Sequence, residues 1–312
     1  MMKVHYDLNK LPVFTNPVIT IGTFDGVHSG HQQIMAQLKK EAAKVNGETV
    51  IITFHPHPRK IVSGQQVFIL TTLPEKIILL EKSGIDHLIV VPFNEAFSQQ
   101  SAEEYIDHFL VDKIHPHTII IGYDHKFGKG RSGNYQLLES YGEKRGFEVK
   151  EIPEHILNEV TVSSTQIRNA LLKNNLEMAN KYLGYPYFFE GEVVHGNKLG
   201  RELGYPTANI AITEPEKLVP ANGIYAVQIT IEGQEKTYDG MLSIGIRPTV
   251  GGKHRTIEVN IFDFDEDIYG KTCRVFLYAY LREELKFDNL SDLQNAMHLD
   301  KKKSIGILSK YH

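Results

Sequence analysis

The sequence predicts an α/β domain built on a parallel sheet, followed by an all-β barrel that a C-terminal helix closes. Three observations carry that prediction. Up to residue 186, β-branched apolar runs alternate with helical patterns. Beyond it, strand-like segments follow one another, separated by Gly, Pro, Asn or Asp, and helical patterning returns only near residue 290. The length also suits two domains: 312 residues, 41% hydrophobic and 23% charged, is an ordinary globular mix, at about 100–200 residues per domain.

In the first domain, residues 1–186, strands are expected at Val18–Ile21, Thr49–Phe54, His87–Val91 and Thr118–Ile121. Helical patterns lie between and after them, at His31–Lys44, Pro74–Lys82, Ala102–Val111 and Tyr135–Arg145. Such alternation implies right-handed crossovers and helices on both faces of the sheet. Ser163 and Ser164 read as caps of a helix over Thr165–Leu172, and a helix over Leu176–Leu183 stops at Gly184. The domain boundary falls at Gly184-Tyr185-Pro186, because Pro186 disfavours helix at Tyr185. In the second domain, residues 187–312, the strand patterns are Phe188–Val194, Ile224–Ile231, Lys236–Ile244, Thr256–Phe262 and Thr272–Tyr280, with a helix at Leu290–Lys303. A small barrel is the simplest arrangement of these strands.

Composition excludes several classes. No apolar run approaches the ~18 residues of a membrane helix, so no membrane partner is expected. The opening segment MMKVHYDLNKLPVF lacks the basic-then-apolar pattern of a secretory leader. A single cysteine, Cys273, suits a reducing compartment, and the expected location is cytoplasmic. The net charge is −4 and neither domain carries a basic excess, so no nucleic-acid partner is expected.

The first chemical constellation follows the first strong strand. Gly22-Thr23-Phe24-Asp25-Gly26-Val27-His28-Ser29-Gly30-His31 leads directly into a helix. In a parallel sheet, ligands bind beyond the carboxyl ends of the strands, and a helix N-terminus there attracts anions. Gly22, Gly26 and Gly30 permit close backbone approach. His28 and His31 can both face one phosphate group and donate to charge developing on it. The alternative is a pair of helix-start histidines that bind nothing. H-x-G-H after a first strand resembles the signature of the nucleotidyltransferase superfamily, which includes class I aminoacyl-tRNA synthetases and attacks the α-phosphate of ATP.

Three more segments lie at the same expected sheet edge. They are Thr53-Phe54-His55-Pro56-His57-Pro58-Arg59, the Gly122–Gly133 stretch, and Val162-Ser163-Ser164-Thr165-Gln166-Ile167-Arg168. His55 and His57 lack a third metal ligand, and the prolines between them suit a rigid loop. Gly128-Lys129-Gly130 is not a P-loop, since no Ser or Thr follows the lysine. Arg168, one turn into its helix, can pair with phosphate, or make only a surface salt bridge. Together these segments resemble the adenylyltransferase half of the bacterial bifunctional riboflavin kinase/FMN adenylyltransferases. The resemblance implies nucleotide or flavin contacts at Gly22, Phe24, Gly30, His57, Asp124, Ser164 and Thr165. It implies transition-state roles for His28, His31 and Arg168. His55 stands where that family often has Glu, and His125 where it often has Phe.

The second constellation runs from Gly191 to Asn209 and is dense in Gly, Lys and Arg. It reads as a strand, a basic flexible loop and a stiff Pro206-Thr207-Ala208-Asn209 turn. Thr207 and Asn209, two apart in extended chain, point the same way. Their oxygens suit a phosphate-bound Mg²⁺; the alternative is a pair that satisfies the loop backbone. Glu258 alternates with Ile257 and Val259 and faces away from them. This segment, with Thr256–Phe264, resembles the kinase half of the same family. The resemblance implies that Thr207 and Asn209 hold Mg²⁺, that Gly191, Lys198 and Gly204 surround phosphates, and that Glu258 is the base for the ribityl hydroxyl.

The resemblance covers Val18 to Ile305 and implies two activities. The barrel would phosphorylate riboflavin with MgATP, and the sheet domain would join FMN to ATP, giving FAD and pyrophosphate. ATP, riboflavin and FMN are then substrates and Mg²⁺ the cofactor, while FMN and FAD are no permanent prosthetic group. The other readings are a monofunctional enzyme whose second domain only binds flavin, and a flavin-sensing protein without turnover. The sequence assigns no oligomeric state.

Overall fold

A computed structural model describes residues 1–312 apart from 65, 123–124, 153–161, 197–199, 201–203 and 250–251. Contacts divide the chain into two compact units, Met1–Ser164 and Thr165–His312.

The first unit holds β1 (Lys3–His5), β2 (Val18–Ile21), α1 (Ser29–Lys44), β3 (Thr49–His55), α2 (Pro58–Ser63), α3 (Leu73–Lys82), β4 (His87–Pro92), α4 (Glu95–Ser98) and α5 (Ala102–Glu104). A π-helical stretch, Tyr105–Ile114, continues α5, and β5 (Thr118–Gly122), α6 (Tyr135–Arg145) and β6 (Glu148–Ile152) follow. All six strands pair in parallel in the order β1-β4-β3-β2-β5-β6. The strand order reverses between β2 and β5, which puts a topological switch point, the usual ligand crevice, at the carboxyl end of β2.

Both sheet faces are covered, and successive residues show it. Ile19, Ile21, Val50, Ile52, Ile119 and Ile121 belong to one buried cluster, while Val18, Ile51, Leu88 and Ile120 belong to the other. This is why the strands read as unbroken apolar runs rather than alternating ones. Each fully buried aliphatic side chain contributes about 1.5–3 kcal/mol.

Local chemistry sets the helix starts. Thr72 and Glu75 form a capping box at α3 with Pro74 in the first turn, and Asn134 accepts from the Leu137 amide at α6. At α1 the N-cap is His28, whose side chain makes no cap hydrogen bond. Two strands escaped the sequence pattern. β1 is three residues long at a sheet edge, and β6 (Glu148-Val149-Lys150-Glu151-Ile152) is mostly polar and also at an edge.

The second unit begins with α7 (Ser164–Leu172), whose first residue closes the other unit, and α8 (Leu176–Leu183). The strands are β7 (Phe188–Val194), β8 (Ala208–Ala211), β9 (Gly223–Ile231), β10 (Thr237–Thr249), β11 (Gly252–Ile261) and β12 (Thr272–Arg282), followed by α9 (Leu290–Leu308). They close into a barrel in the order β10-β11-β8-β7-β12-β9. The Pro206–Asn209 segment, expected as a turn, instead enters β8, which pairs with β7 and β11. Barrel closure makes the difference: a four-residue strand is too short to show a period, but it bridges two longer ones.

Both α7 and α8 are fastened to the barrel. The Ala221 amide donates to the Leu171 carbonyl (3.2 Å). The Tyr225 hydroxyl donates to Asn174 Oδ1 (2.8 Å). Asn180 donates to the Leu277 carbonyl (2.9 Å) and accepts from the Tyr187 amide (2.8 Å).

Candidate active sites

The first site grows from the turn after β2. Phe24 and Val27 have φ of 46° and 38°, a left-handed conformation costly for side chains of this size, and both are buried. Several bonds hold the turn. Asp25 Oδ1 accepts from the Leu70 amide (2.8 Å) and the Thr71 amide (3.0 Å), and the Gly26 amide donates to Thr71 Oγ1 (3.0 Å). The Ser164 hydroxyl donates to the Asp25 carbonyl (2.9 Å). Glycine eases the packing at two places: a Cβ at Gly22 would lie 3.1 Å from the Phe24 ring, and one at Gly30 would lie 3.3 Å from the His28 ring, both tighter than ordinary contact.

The result is a stacked histidine pair. The rings of His28 and His31 are 3.7 Å apart at 19°, and the Phe24 ring is tilted against His31 at 4.8 Å. His31 Nδ1 is buried without a hydrogen-bond partner. Burial first, then His28 and Lys76, hold the His31 imidazole well below its ordinary pKa of 6.5. The ring is therefore neutral at physiological pH. With Nδ1 shut away from any acceptor, its proton belongs on Nε2.

Among the expected residues, Gly22, Phe24, His28, Gly30, His31 and Ser164 are thus brought together. His57 is the N-cap of α2, at the carboxyl end of neighbouring β3, and accepts from the Arg59 amide (3.2 Å). Thr165 and Arg168 lie on α7, in the second unit. Asp124 lies outside the described residues. Gly128, which is not a P-loop glycine, permits close packing instead: a Cβ there would sit 2.7 Å from the Ala102 Cα.

Sequence reasoning missed Lys76. Its side chain is buried and donates to the Thr23 carbonyl (2.7 Å) and Thr53 Oγ1 (3.4 Å). A signal existed: Leu73, Lys76 and Leu80 share one face of α3 at helical spacing, so the lysine stands in the apolar stripe.

The second site is a pocket on the barrel, and α9 contributes to its wall. Antiparallel register places Ser243 opposite Glu258, and Glu258 opposite Asn209, across three adjacent strands. Thr207 Oγ1 is 3.4 Å from Glu258 Oε2. Ile257 and Val259 are buried, and Glu258 lines the pocket with Thr207, Ser243 and Asn260. Asn260 is held by its bond to the Pro206 carbonyl (2.7 Å). Leu285, Phe287, Leu293 and Met297 form an apolar side of the pocket. Two register shifts late in β12 precede Arg282, which a bulge is suited to re-aim. Arg282 makes a forked pair with buried Asp300 of α9 (2.7 and 3.0 Å). The pair leaves no signature along the chain, because it joins positions 18 apart on two different elements.

The glycines here have distinct duties. A Cβ at Gly191 would lie 2.6 Å from the Ala211 carbonyl oxygen, so its bareness lets β7 and β8 approach. A Cβ at Gly196 would overlap the Asn209 amide, so that glycine makes room for Asn209. Gly204 has φ 78° in a turn. Lys198 lies outside the described residues. Beside the Glu258 carboxylate stand the Thr207 hydroxyl and, in cross-strand register, the Asn209 amide, hard oxygens of the kind that suit Mg²⁺. Among the described residues no group of three or more His, Cys, Asp or Glu could hold a metal by itself.

Two candidate sites lie on two separate folds, and the comparisons with known proteins make this a phosphate-transferring enzyme of two units. Residues 12–166 match the family model for FAD synthetase, and residues 183–308 that for riboflavin kinase. The chain belongs to the family of bifunctional riboflavin kinase/FMN adenylyltransferases. It is 40% identical to the Buchnera aphidicola (Schizaphis graminum) protein of that name over 97% of this chain and 96% of the relative. It is 38% identical to the one from Haemophilus influenzae, with 94% of each chain covered. For Escherichia coli K12 the identity is 36%, over 89% and 88%. A solved structure described as a macrolide-efflux protein from Streptococcus pneumoniae has the same fold, with TM-score 0.85 and 30% identity over 96% of this chain and 98% of that one. Among the described residues, no helix of the present chain is long and apolar enough to cross a membrane.

Proposed function

We propose that riboflavin is phosphorylated in the barrel pocket and that the FMN so formed is adenylylated at the His28/His31 crevice. What supports this reading is that His28 stacks on His31 at 3.7 Å in one unit and Thr207 lies beside Glu258 at 3.4 Å in the other.

In the barrel, the apolar side of the pocket suits a flat ring system and the polar row suits a hydroxylated chain. Glu258 accepts the proton of the attacking ribityl hydroxyl as its oxygen bonds to the γ-phosphorus and ADP leaves. Thr207 and Asn209 would hold Mg²⁺, which arrives with ATP and supplies charge neutralisation. Lys198, Gly191 and Gly204 surround the phosphates. Ser243 joins this row and orients the substrate hydroxyls.

In the crevice, an FMN phosphate oxygen bonds to the α-phosphorus of ATP and pyrophosphate leaves. The nucleophile is already an anion at pH 7, so no base is required. His31 donates through Nε2 to charge on the α-phosphate, and His28 and the first turn of α1 face the same group. Phe24 and His57 flank the ligand. A reducing cytoplasm suits Cys273, which is buried, its thiol pushed up to about 11 by burial.

A chromatographic time course of riboflavin, FMN and FAD with MgATP tests the reading. FMN should rise and then fall as FAD accumulates. FMN without FAD, under oxidising and reducing conditions alike, leaves only the kinase step.

The adenylyltransferase and kinase domains, 1–186 and 187–312, should also separate. The fragment 187–312 should make FMN and never FAD. The longer fragment 165–312 should do the same with a Tm several degrees higher, because it keeps the Asn180 bonds to Leu277 and Tyr187, at about 1 kcal/mol per bond. A folded 187–312 that binds riboflavin and MgATP yet cannot make FMN would show that the kinase needs residues before 187.

A further inference from the structure

We propose that Lys76 is a positioning residue of the adenylyltransferase crevice, its buried ammonium both clamping the strained turn after β2 and placing a fixed positive charge beneath the phosphate-binding edge. The inference rests on the reading of the His28/His31 crevice given above.

The geometry comes first. The capping box of Thr72 and Glu75 fixes the start of α3, and Lys76 follows one residue later. Only 7% of Lys76 is exposed. Its Nζ lies 2.7 Å from the Thr23 carbonyl oxygen and 3.4 Å from Thr53 Oγ1, and the Thr53 hydroxyl donates to the same carbonyl (3.1 Å). One carbonyl in the turn thus accepts two side-chain bonds, one from α3 and one from β3. The next residues are Phe24, with its left-handed φ, and Asp25, tied to Leu70 and Thr71. A strained backbone persists only where its surroundings over-determine it, and Lys76 is one of those constraints.

Clamping alone does not require a lysine. A buried cation is costly, and an apolar side chain of similar length is often neutral or stabilising in such a position. What a lysine adds is charge. The groups facing it are the Asp25 carboxylate and the His31 imidazole, with His28 stacked on the latter. Asp25 favours the ammonium but does not offset its burial, which brings Lys76 down to about 8. Lys76 in turn disfavours a proton on His31. The buried charge therefore does two things at once. It attracts the anionic nucleotide and FMN phosphate, and it keeps His31 a neutral Nε2–H donor.

The test uses the full chain and the variant Lys76→Met. With FMN and MgATP supplied, kcat/KM for FAD formation should fall about 10–100-fold. Riboflavin phosphorylation, measured on the same preparation, should be unchanged, and a thermal melt that keeps both unfolding transitions reports that the unit holding Lys76 is folded. The NMR titration of His31 should move up as the charge of Lys76 is removed, and the pH dependence of the rate separates loss of that charge from mere loosening of the turn. In the wild type, FAD formation should decline as pH rises through about 8, where Lys76 gives up its proton, and the variant should lack that limb. A variant with wild-type FAD formation and an unmoved His31 titration overturns the proposal. So does a wild-type rate flat between pH 7 and 9, which decides the matter without any variant and hence even if Lys76→Met fails to fold. A wild type that makes FMN and never FAD overturns the crevice reading itself; one that makes FAD with a flat profile overturns this inference alone.

Discussion

His31→Ala should slow FAD formation ~100–1,000-fold, equivalent to about 2.7–4 kcal/mol of barrier, and leave riboflavin phosphorylation at its wild-type rate. The size follows from the kind of help the ring gives. Adenylyl transfer to a phosphate needs no proton removed, so catalysis rests on donors fixed where charge develops. His31 is such a donor: burial and its neighbours keep it neutral, and its contacts with the His28 and Phe24 rings hold its plane. Water in the emptied space cannot be held as firmly. His28→Ala should have a similar effect, but the double variant should fall well short of the product of the two, because stacked rings orient each other and their energies are not additive. The assay is FMN-to-FAD turnover at saturating MgATP beside the kinase rate. Normal FAD formation in either single variant would reduce that residue to a helix-start role.

Glu258→Gln should slow FMN formation ~100–10,000-fold while MgATP still binds. Glutamine preserves shape and a hydrogen-bonding oxygen, so the cross-strand row of Ser243, Glu258 and Asn209 is undisturbed. What is lost is the ability to accept a proton. Thr207→Ala and Asn209→Ala should behave differently: they remove oxygen donors and should raise the Mg²⁺ concentration needed for half-maximal rate. The contrast is the discriminating measurement, with rates taken across a Mg²⁺ series at saturating ATP. Undiminished FMN production in Glu258→Gln would move the base elsewhere.

Much of this architecture is local and therefore legible in the chain. The runs Val18–Ile21 and Thr118–Gly122 are apolar at every position because both sheet faces are covered, and such runs between helical patterns already imply a parallel sheet. The His28–His31 spacing, the glycines around it, and the Thr207/Asn209 spacing are short-range facts. The sequence alone thus determines two fold classes, their order, and the family resemblance that goes with their motifs.

Other features needed the tertiary structure. β1, β6 and β8 are short or polar, so their pairing energy comes from strands far away in sequence and leaves no period of their own. The expected helix Ala102–Val111 is largely the π-helical Tyr105–Ile114, a choice that packing against the sheet makes rather than residue propensity. The Arg282–Asp300 fork joins β12 to α9 across the barrel pocket. Lys76 looks like one more charged residue on an amphipathic helix, and only the approach of α3 to the carboxyl ends of β2 and β3 turns it into a buried cation. Burial and electrostatic coupling depend on which distant segments meet, and a pattern read along the chain records only near neighbours.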